Sequence, residues 1–413
     1  MSTTVYVLKS GESMKYKTGS TFTSSLQVKP PVNLSQQKIE YKAVRIRSTK
    51  PISVTMSDEN IFHSRDITTI FPIEKLSTAD LISSADPNLL TNSVDTAIWG
   101  MGNLNFHLSA FVLSQVVIVT VHDDTSVCIS LPPHLRQDPY DYTGKVRGQT
   151  TLDNGTFEIK LNSLEPFQIF HFLDFSGTRI SSSKPIAVFS GVLCRTSYDC
   201  NHIIEQLPPV DQFDVTFIVP PNHHTSTSLI RVISEENTIL KVSSATKTDN
   251  VSISAGVPHD IETFDDEVLV IQSTLKCEGH QCKRQSPLLV NILSFREEEL
   301  YSNRLHMTLV PGIHHYQRYY KIVLPMGWNQ HYITVIIREN AASSLQMNGR
   351  KISNMVYWLK EYIFVEGVKY SIIVFEVGEG VVILKSEDAF GLIAYGYDGD
   401  KEAYAFTGNV LFH

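Results

Sequence analysis

Short apolar runs of strand length dominate the hydrophobic pattern of this chain. Residues 116–121 form one apolar run that only Thr120 interrupts, and apolar side chains at 127, 129 and 131 alternate with smaller ones. Residues 186–189 form a third run, which Ser190 and Gly191 end. Continuous runs of a few apolar residues and strict alternation both predict β-strands. The pattern therefore predicts an all-β protein with many short strands.

One segment departs from this pattern. Residues 73–90 carry apolar side chains at helical spacing, and Pro87 disfavours the helical conformation at Asp86. We therefore predict one short helix near 73–85, inside a loop that connects larger units. A functional loop is the alternative interpretation of this segment.

The chain also repeats itself. Residues 45–54 (RIRSTKPISV) align without a gap on residues 179–188 (RISSSKPIAV), and shorter versions recur at 286–290 and 390–396. An apolar strand runs into an acidic turn upstream of each of the later copies, at 123–124, 235–236 and 339–340. Recurrence of several landmarks in one order indicates repeated structural units.

The repeat predicts the domain organisation. We expect a diverged first β unit with a connecting loop over 1–104, followed by β units over 105–210, 211–305 and 306–413. Units of about 100 residues with many short strands have the size of a β-sandwich. The Cys…Trp…Cys spacing of immunoglobulin domains is missing, so we predict tandem sandwich-like repeats. The period is too long for a solenoid.

A resemblance to a known family lies within residues 183–221. The ordered string comprises SKPIAVFSG at 183–191, Cys194, CNH at 200–202, EQLPP at 205–209 and FIVPP at 217–221. This string resembles the N-terminal domain family of the IgGFc-binding protein, a secreted mucus component. The resemblance implies a secreted, non-enzymatic protein with a role in adhesion, mucosal defence or binding of an immunoglobulin-like partner.

The five cysteines provide two close pairs. We predict disulfides between Cys194 and Cys200 and between Cys277 and Cys282, because no C-x-x-C or histidine spacing completes a zinc site. The alternative is that both pairs are reduced thiols in a cytosolic protein. The thiol of Cys128 is predicted to be free and buried, where a cysteine packs like a small apolar residue.

The signals for cellular location conflict. The N-terminus shows no basic and apolar leader, which alone favours the cytosol. The cysteine pairs and three sequons, at Asn33, Asn154 and Asn250, favour secretion and glycosylation in predicted turns or polar loops. We therefore expect an extracellular protein, of which this chain is a fragment or an incomplete gene model.

Charge and motifs exclude several functions. The net charge is −8 and no Lys/Arg run is present, which argues against a nucleic-acid partner. No apolar segment has the roughly 18 residues that a membrane-spanning helix needs. The serine-nucleophile elbow, phosphate-binding loops and zinc-protease motif are absent. We expect neither enzymatic activity nor a cofactor or bound metal.

The favoured function is therefore an extracellular binding or adhesion module with a protein or glycoprotein partner. Arg195 and Tyr198, inside the predicted Cys194–Cys200 clip, are the candidate binding residues, because Arg and Tyr are enriched at binding hot spots. The alternative is that the clip only anchors a corner between two sandwiches. A hydrolase on a β scaffold and a structural spacer of a larger cell-surface protein are the other functions left open, as is the oligomeric state.

Overall fold

A computed structural model of the chain describes most of residues 45–413 and parts of the N-terminal region. The described residues are 2–9, 12–18, 38–39, 43, 45–48, 52–59, 65–87, 112–136, 150–152, 155–194, 202–221, 227–264, 267–278, 281–295, 306–398, 402–408 and 410.

The first half of the chain forms two antiparallel sheets. Its strands are β1 (Ser2–Lys9), β2 (Glu12–Thr18), β3 (Lys38–Ile39), β4 (Ser53–Glu59), β5 (Arg65–Thr69), β6 (Ser77–Leu81), β7 (Val112–Thr120), β8 (Thr125–Ser130), β9 (Thr150–Leu152), β10 (Thr156–Leu161), β11 (Pro166–His171), β12 (Arg179–Cys194) and β13 (Ile203–Leu207). The first sheet has the order β2-β1-β4-β5. The second has the order β3-β11-β7-β12-β8-β10-β9, and β6 and β13 also pair with β12. A short helix, α1 (Pro133–Arg136), follows β8.

The next part of the chain forms two four-stranded sheets and a hairpin. Its strands are β14 (Thr216–Val219), β15 (Thr227–Ser234), β16 (Thr238–Ser243), β17 (Thr248–Ile253), β18 (His259–Phe264), β19 (Leu269–Ser273), β20 (Leu275–Glu278), β21 (Gln281–Gln285), β22 (Leu288–Phe295) and β23 (His306–Leu309). The sheets β14-β19-β16-β17 and β18-β15-β22-β23 share one apolar core, as in a sandwich. Strands β20 and β21 form the separate hairpin.

The C-terminal part forms one large sheet with the path β27-β26-β30-β25-β29-β28, and β24 and β31 also pair with β30. Its strands are β24 (Gln317–Leu324), β25 (Gln330–Arg338), β26 (Gln346–Met347), β27 (Arg350–Lys351), β28 (Leu359–Val365), β29 (Val368–Val377), β30 (Gly380–Asp398) and β31 (Glu402–Thr407). Single turns of 3-10 helix occur at Ile73–Lys75, Val210–Gln212, Ile313–His315 and Ile352–Asn354, with a longer one at Glu339–Ser344. The predicted all-β fold is confirmed.

The repeated sequence motif corresponds to a long strand that changes partners midway. Residues 179–182 of β12 pair with β8, whereas residues 186–194 pair with β7. Pro185 lies at the change, where the register with β6 also shifts. Proline has no N–H to donate to a ladder, so a break between two pairings tolerates it. Strand β30 also changes partners midway. Its residues 380–385 pair with β24, and its residues 390–397 pair with β25.

The two sheets of the first half and the two later parts of the chain make four parts, whose last strands, β5, β13, β23 and β31, meet at a common centre. Strand β5 packs against β13 and β31, and β23 packs against the same two strands. Thr69 Oγ1 donates to Thr407 O over 2.5 Å, although the two residues lie near opposite ends of the chain. The four parts therefore close into a ring around β5, β13, β23 and β31, which we call the central junction.

The unit boundaries stay a prediction, but two local features bear on them. β6 lies within the predicted first unit and pairs with β12 of the predicted second unit. A single turn of 3-10 helix follows each of the strands β5, β13 and β23. Its N-cap residue is Pro72 after β5, Pro209 after β13 and Gly312 after β23. The chain thus leaves the central junction each time through a similar turn.

The helix predicted near 73–85 is wrong beyond its first turn. Residues Ile73–Lys75 form one 3-10 turn, and β6 begins at Ser77. Leu81 and Ile82 are completely buried in the core that also contains β12. Tertiary pairing with β12 therefore overrides the helical spacing of these apolar residues.

The acidic landmarks and the glycines behave as turn residues. The pair 123–124 lies between β7 and β8, 235–236 lies between β15 and β16, and 339–340 begins the 3-10 helix after β25. Gly155 and Gly367 have φ angles of 73° and 82°, which side chains disfavour. These residues therefore serve the turns of each repeat.

Candidate binding surface

The predicted clip at Cys194 and Cys200 cannot be placed in full. Cys194 ends β12, but its side chain and residues 195–200 lie outside the described residues. The candidate binding residues Arg195 and Tyr198 therefore also lie outside them. Next to this segment, His202 is buried and accepts a hydrogen bond from Gln115 Nε2 over 2.7 Å. His202 thus has the structural role that hydrogen bonding in a buried position indicates.

The second predicted clip has a compatible backbone. Cys277 and Cys282 are directly opposite each other in the hairpin of β20 and β21. Opposite residues of antiparallel strands have Cα atoms about 4.5–5.5 Å apart, a separation that a disulfide can span. Cys128 is a free thiol in β8, but it is half-buried and not fully buried as expected.

We expect the Cys277–Cys282 bond to form when the chain passes through a secretory host. A short loop of this kind adds roughly 2 kcal/mol of stability in the chain-entropy model. Peptide mapping without reduction should recover one linked peptide that contains both cysteines, with Cys128 alkylated as the internal control. Recovery of alkylated Cys277 and Cys282 would contradict the prediction.

Of the three sequons, one lies within the described residues. Asn250 is exposed on β17, an edge strand, and therefore does not lie in a turn as predicted. β17 contains too few apolar residues for their alternation to predict a strand from the sequence. Asn33 and Asn154 lie outside the described residues.

The most distinctive exposed surface lies along β28. Trp358, Tyr362 and Phe364 expose 54%, 40% and 65% of their surfaces, and we call these three residues the aromatic edge. Tyr362 and Phe364 share one face of β28 because side chains alternate along a strand. Large exposed apolar patches mark interaction sites, and aromatic residues are enriched there.

Packing on the opposite face holds this strand in place. Ile363 and Val365 are buried in a cluster that includes Ile218 and Val270 of strands β14 and β19. Trp358 N donates to Val374 O of β29 over 2.8 Å, just before the strand begins. Tyr362 and Phe364 are therefore presented by a strand that is packed on its opposite face, and Trp358 lies in the bend just before it.

Positive charge accompanies the aromatic edge. Lys369 Nζ lies 3.8 Å from the centroid of the Tyr362 ring, and Lys360 Nζ lies 5.3 Å from it. Both distances fall within the range of cation–π attraction. The sequence reasoning missed this surface, although the signal was present as the aromatic-rich run VYWLKEYIF at 356–364. Such a run predicts a strand, but not which of its faces stays uncovered.

The central junction contains buried ionisable groups, but they serve to hold strands together. Asp66 accepts hydrogen bonds from the backbone N–H groups of Ile67 and Ile204, each over 2.8 Å. Burial raises the pKa of the Glu205 carboxyl well above its ordinary value, and the nearby Asp66 adds to the shift. Burial lowers the pKa of His306 to about 3. Asp66 thus links β5 to β13, and Glu205 Oε1, which accepts from Leu309 N over 3.4 Å, links β13 to β23.

A second polar cluster joins β15 to the segment after β11. Arg231 pairs with Asp174 over 2.6 Å and with Asp260 over 2.7 Å, and it also donates to Ser84 O. Burial alone would lower the pKa of Arg231, but the two carboxylates outweigh it and raise the pKa. Arg231 is therefore held as a cation with its donors used, which suits a structural link.

Two features relevant to function are absent from the described residues. No group of three or more His, Cys, Asp or Glu side chains is placed there to hold a metal ion. Within the same part of the chain, no helix is long and apolar enough to cross a bilayer.

Comparison with known proteins identifies one family. The family described as IgGFc binding protein matches residues 90–396, a region that includes β28. The human protein named IgGFc-binding protein is 24% identical over 262 residues. The matched region is 61% of this chain but only 5% of the human protein, so the chain corresponds to a small part of it. No solved structure matches the chain.

Proposed function

Because this chain belongs to the IgGFc binding protein family, we propose that it is a non-enzymatic extracellular module that binds a protein or glycoprotein partner. The observation that carries the proposal is the aromatic edge of β28, an exposed apolar surface in a chain of net charge −8. Exposed aromatic side chains in such a place contribute more to binding than to stability. Membership of the family supports an immunoglobulin-like protein as the class of partner.

Other features agree with an extracellular role. The register of Cys277 and Cys282 is suited to a disulfide, a bond that persists in oxidising compartments. The exposed Asn250 on β17 leaves space for a glycan. The name of the human relative makes the Fc region of human immunoglobulin G the first probe to use.

We expect the purified chain to bind an immobilised human IgG Fc fragment in a saturable manner and to bind the Fab fragment of the same antibody weakly. Biolayer interferometry over a concentration series would measure both responses. Fab is the matched control, because it also consists of immunoglobulin domains. Equal responses to Fc and Fab, or no response to either, would contradict an Fc partner.

A further inference from the structure

We propose that β28 accepts an extended strand of the partner, which pairs with the open edge of the sheet and places carboxylates beside Lys360 and Lys369. The inference rests on the proposed binding function and specifies the chemistry of the partner segment. Backbone pairing would provide affinity, and the side chains along the aromatic edge would provide specificity.

The backbone argument is the position of β28 in its sheet. It stands at the end of the strand order and pairs with β29 alone among the described strands. The outer edge of such a strand carries N–H and C=O groups that another extended segment can bond. Pairing with β29 and packing on the β14-β19-β16-β17 sheet already fix the backbone of β28. Binding a partner strand would therefore cost little conformational entropy on the side of this protein.

The side chains distinguish this edge from β17, an edge strand in another sheet. Thr248, Asp249 and Asn250 of β17 are exposed and polar, a composition that discourages strand addition. β28 instead exposes Tyr362 and Phe364, and Trp358 stands just before it. Exposed aromatic residues on an edge strand favour pairing with a partner.

The charges specify the partner segment. Lys369 lies opposite Phe364 in the register of β28 and β29, and its ammonium group is over the Tyr362 ring. Lys360 also lies by this ring, 3.8 Å from the Glu339 carboxylate. A cation that contacts a ring face keeps N–H groups available for an acceptor. An approaching strand with carboxylates on the face toward Tyr362 would therefore be favoured over one with cations.

The probe is a labelled synthetic peptide with threonine at every second position and, at the positions between, valine and glutamate by turns. In the extended conformation all valine and glutamate side chains then lie on one face. A second peptide replaces each glutamate by lysine. A third keeps the glutamates but is N-methylated at every backbone amide, which removes the donors for strand pairing on both edges of the peptide. Fluorescence anisotropy with the whole chain should show binding of the first peptide and at least tenfold weaker binding of the other two.

Variants locate the site. The double variant Tyr362→Ser/Phe364→Ser and the single variant Lys369→Glu should each weaken binding of the glutamate peptide at least tenfold. The matched controls are Tyr319→Ser, which removes a 52% exposed tyrosine from β24, and Lys241→Glu on the exposed face of β16. Both controls should bind as the unmodified chain does. Urea midpoints should differ little among all four, because none of the substituted side chains is buried and such positions contribute little to stability.

Several results would overturn the inference. They are equal binding of the glutamate and lysine peptides, full binding of the N-methylated peptide, no binding of any peptide, and unchanged binding in the β28 variants. Concentration-dependent dimerisation that Tyr362→Ser/Phe364→Ser abolishes, without peptide binding, would assign the edge to a second copy of this chain.

The outcomes also separate this inference from the proposed function. Suppose that Fc does not bind, that the glutamate peptide binds, and that the β28 variants bind this peptide more weakly. The Fc partner is then contradicted, and the inference that β28 accepts a strand is supported. If Fc binds equally well to the chain and to both β28 variants, the proposed function stands and the inference falls.

Discussion

Replacing Arg231 with methionine should destabilise the protein by about 3–5 kcal/mol, the typical cost of removing one partner of a buried ion pair. The Arg231 side chain is 3% exposed and the Asp174 side chain is 13% exposed. Without the guanidinium, Asp174 would remain buried without its counter-ion, and Ser84 O would lose a donor. Urea unfolding at neutral pH, followed by circular dichroism, measures the change.

Arg179 provides the matched control for this prediction. It pairs with Glu235 over 2.8 Å between the same two parts of the chain, but the two side chains are 41% and 37% exposed. Solvent screening limits such a pair to roughly 0–1 kcal/mol, so Arg179→Met should be nearly neutral. The double variant Arg231→Met/Asp174→Asn should recover part of the loss, since it removes the uncompensated charge. Similar costs for Arg231→Met and Arg179→Met would show that burial does not govern these pairs.

Local parts of this architecture follow from the sequence. Alternating and continuous apolar runs predict strands such as β7 and β8, and the repeated RISSSKPIAV motif marks the strand β12 that changes partners. Each of these features depends on neighbours close in sequence, which is why periodicity and turn chemistry indicate them.

Closure of the ring could not be predicted in this way. The bond from Thr69 to Thr407 and the bond from Ile204 to Asp66 join residues that are far apart in sequence. Strand patterns specify which face is apolar, but they do not specify which other unit covers it. For the same reason the open face at Tyr362 and the partial exposure of Cys128 were not predicted from the alternation around them.

Acid should destabilise the protein through His306, which is fully buried in β23 at the central junction. Burial lowers the pKa of His306 to about 3, whereas an unfolded chain has the ordinary value of 6.5. Between these values the unfolded state binds more protons, so stability is lost as the pH falls from 6.5 toward 3. Between pH 6.5 and pH 4.5 the loss amounts to about 2 kcal/mol, because one pKa unit corresponds to about 1.4 kcal/mol and half of the unfolded chains already carry the proton at pH 6.5.

His306→Asn should remove this part of the pH dependence, which urea unfolding at pH 6.5 and pH 4.5 would measure as a smaller difference between the two free energies. His122→Asn, at an exposed turn after β7, is the matched control, since it removes a histidine without altering the junction. Glu205→Gln tests the opposite sign in the same junction. Burial raises the pKa of Glu205 above its ordinary 4.5, so its contribution to stability falls as the pH rises above 4.5. Between pH 4.5 and pH 6.5 the two groups act with opposite signs, so Glu205→Gln should enlarge the loss of stability toward acid in this window and His306→Asn should reduce it. Identical pH profiles for His306→Asn and the unmodified chain would contradict a buried, neutral His306.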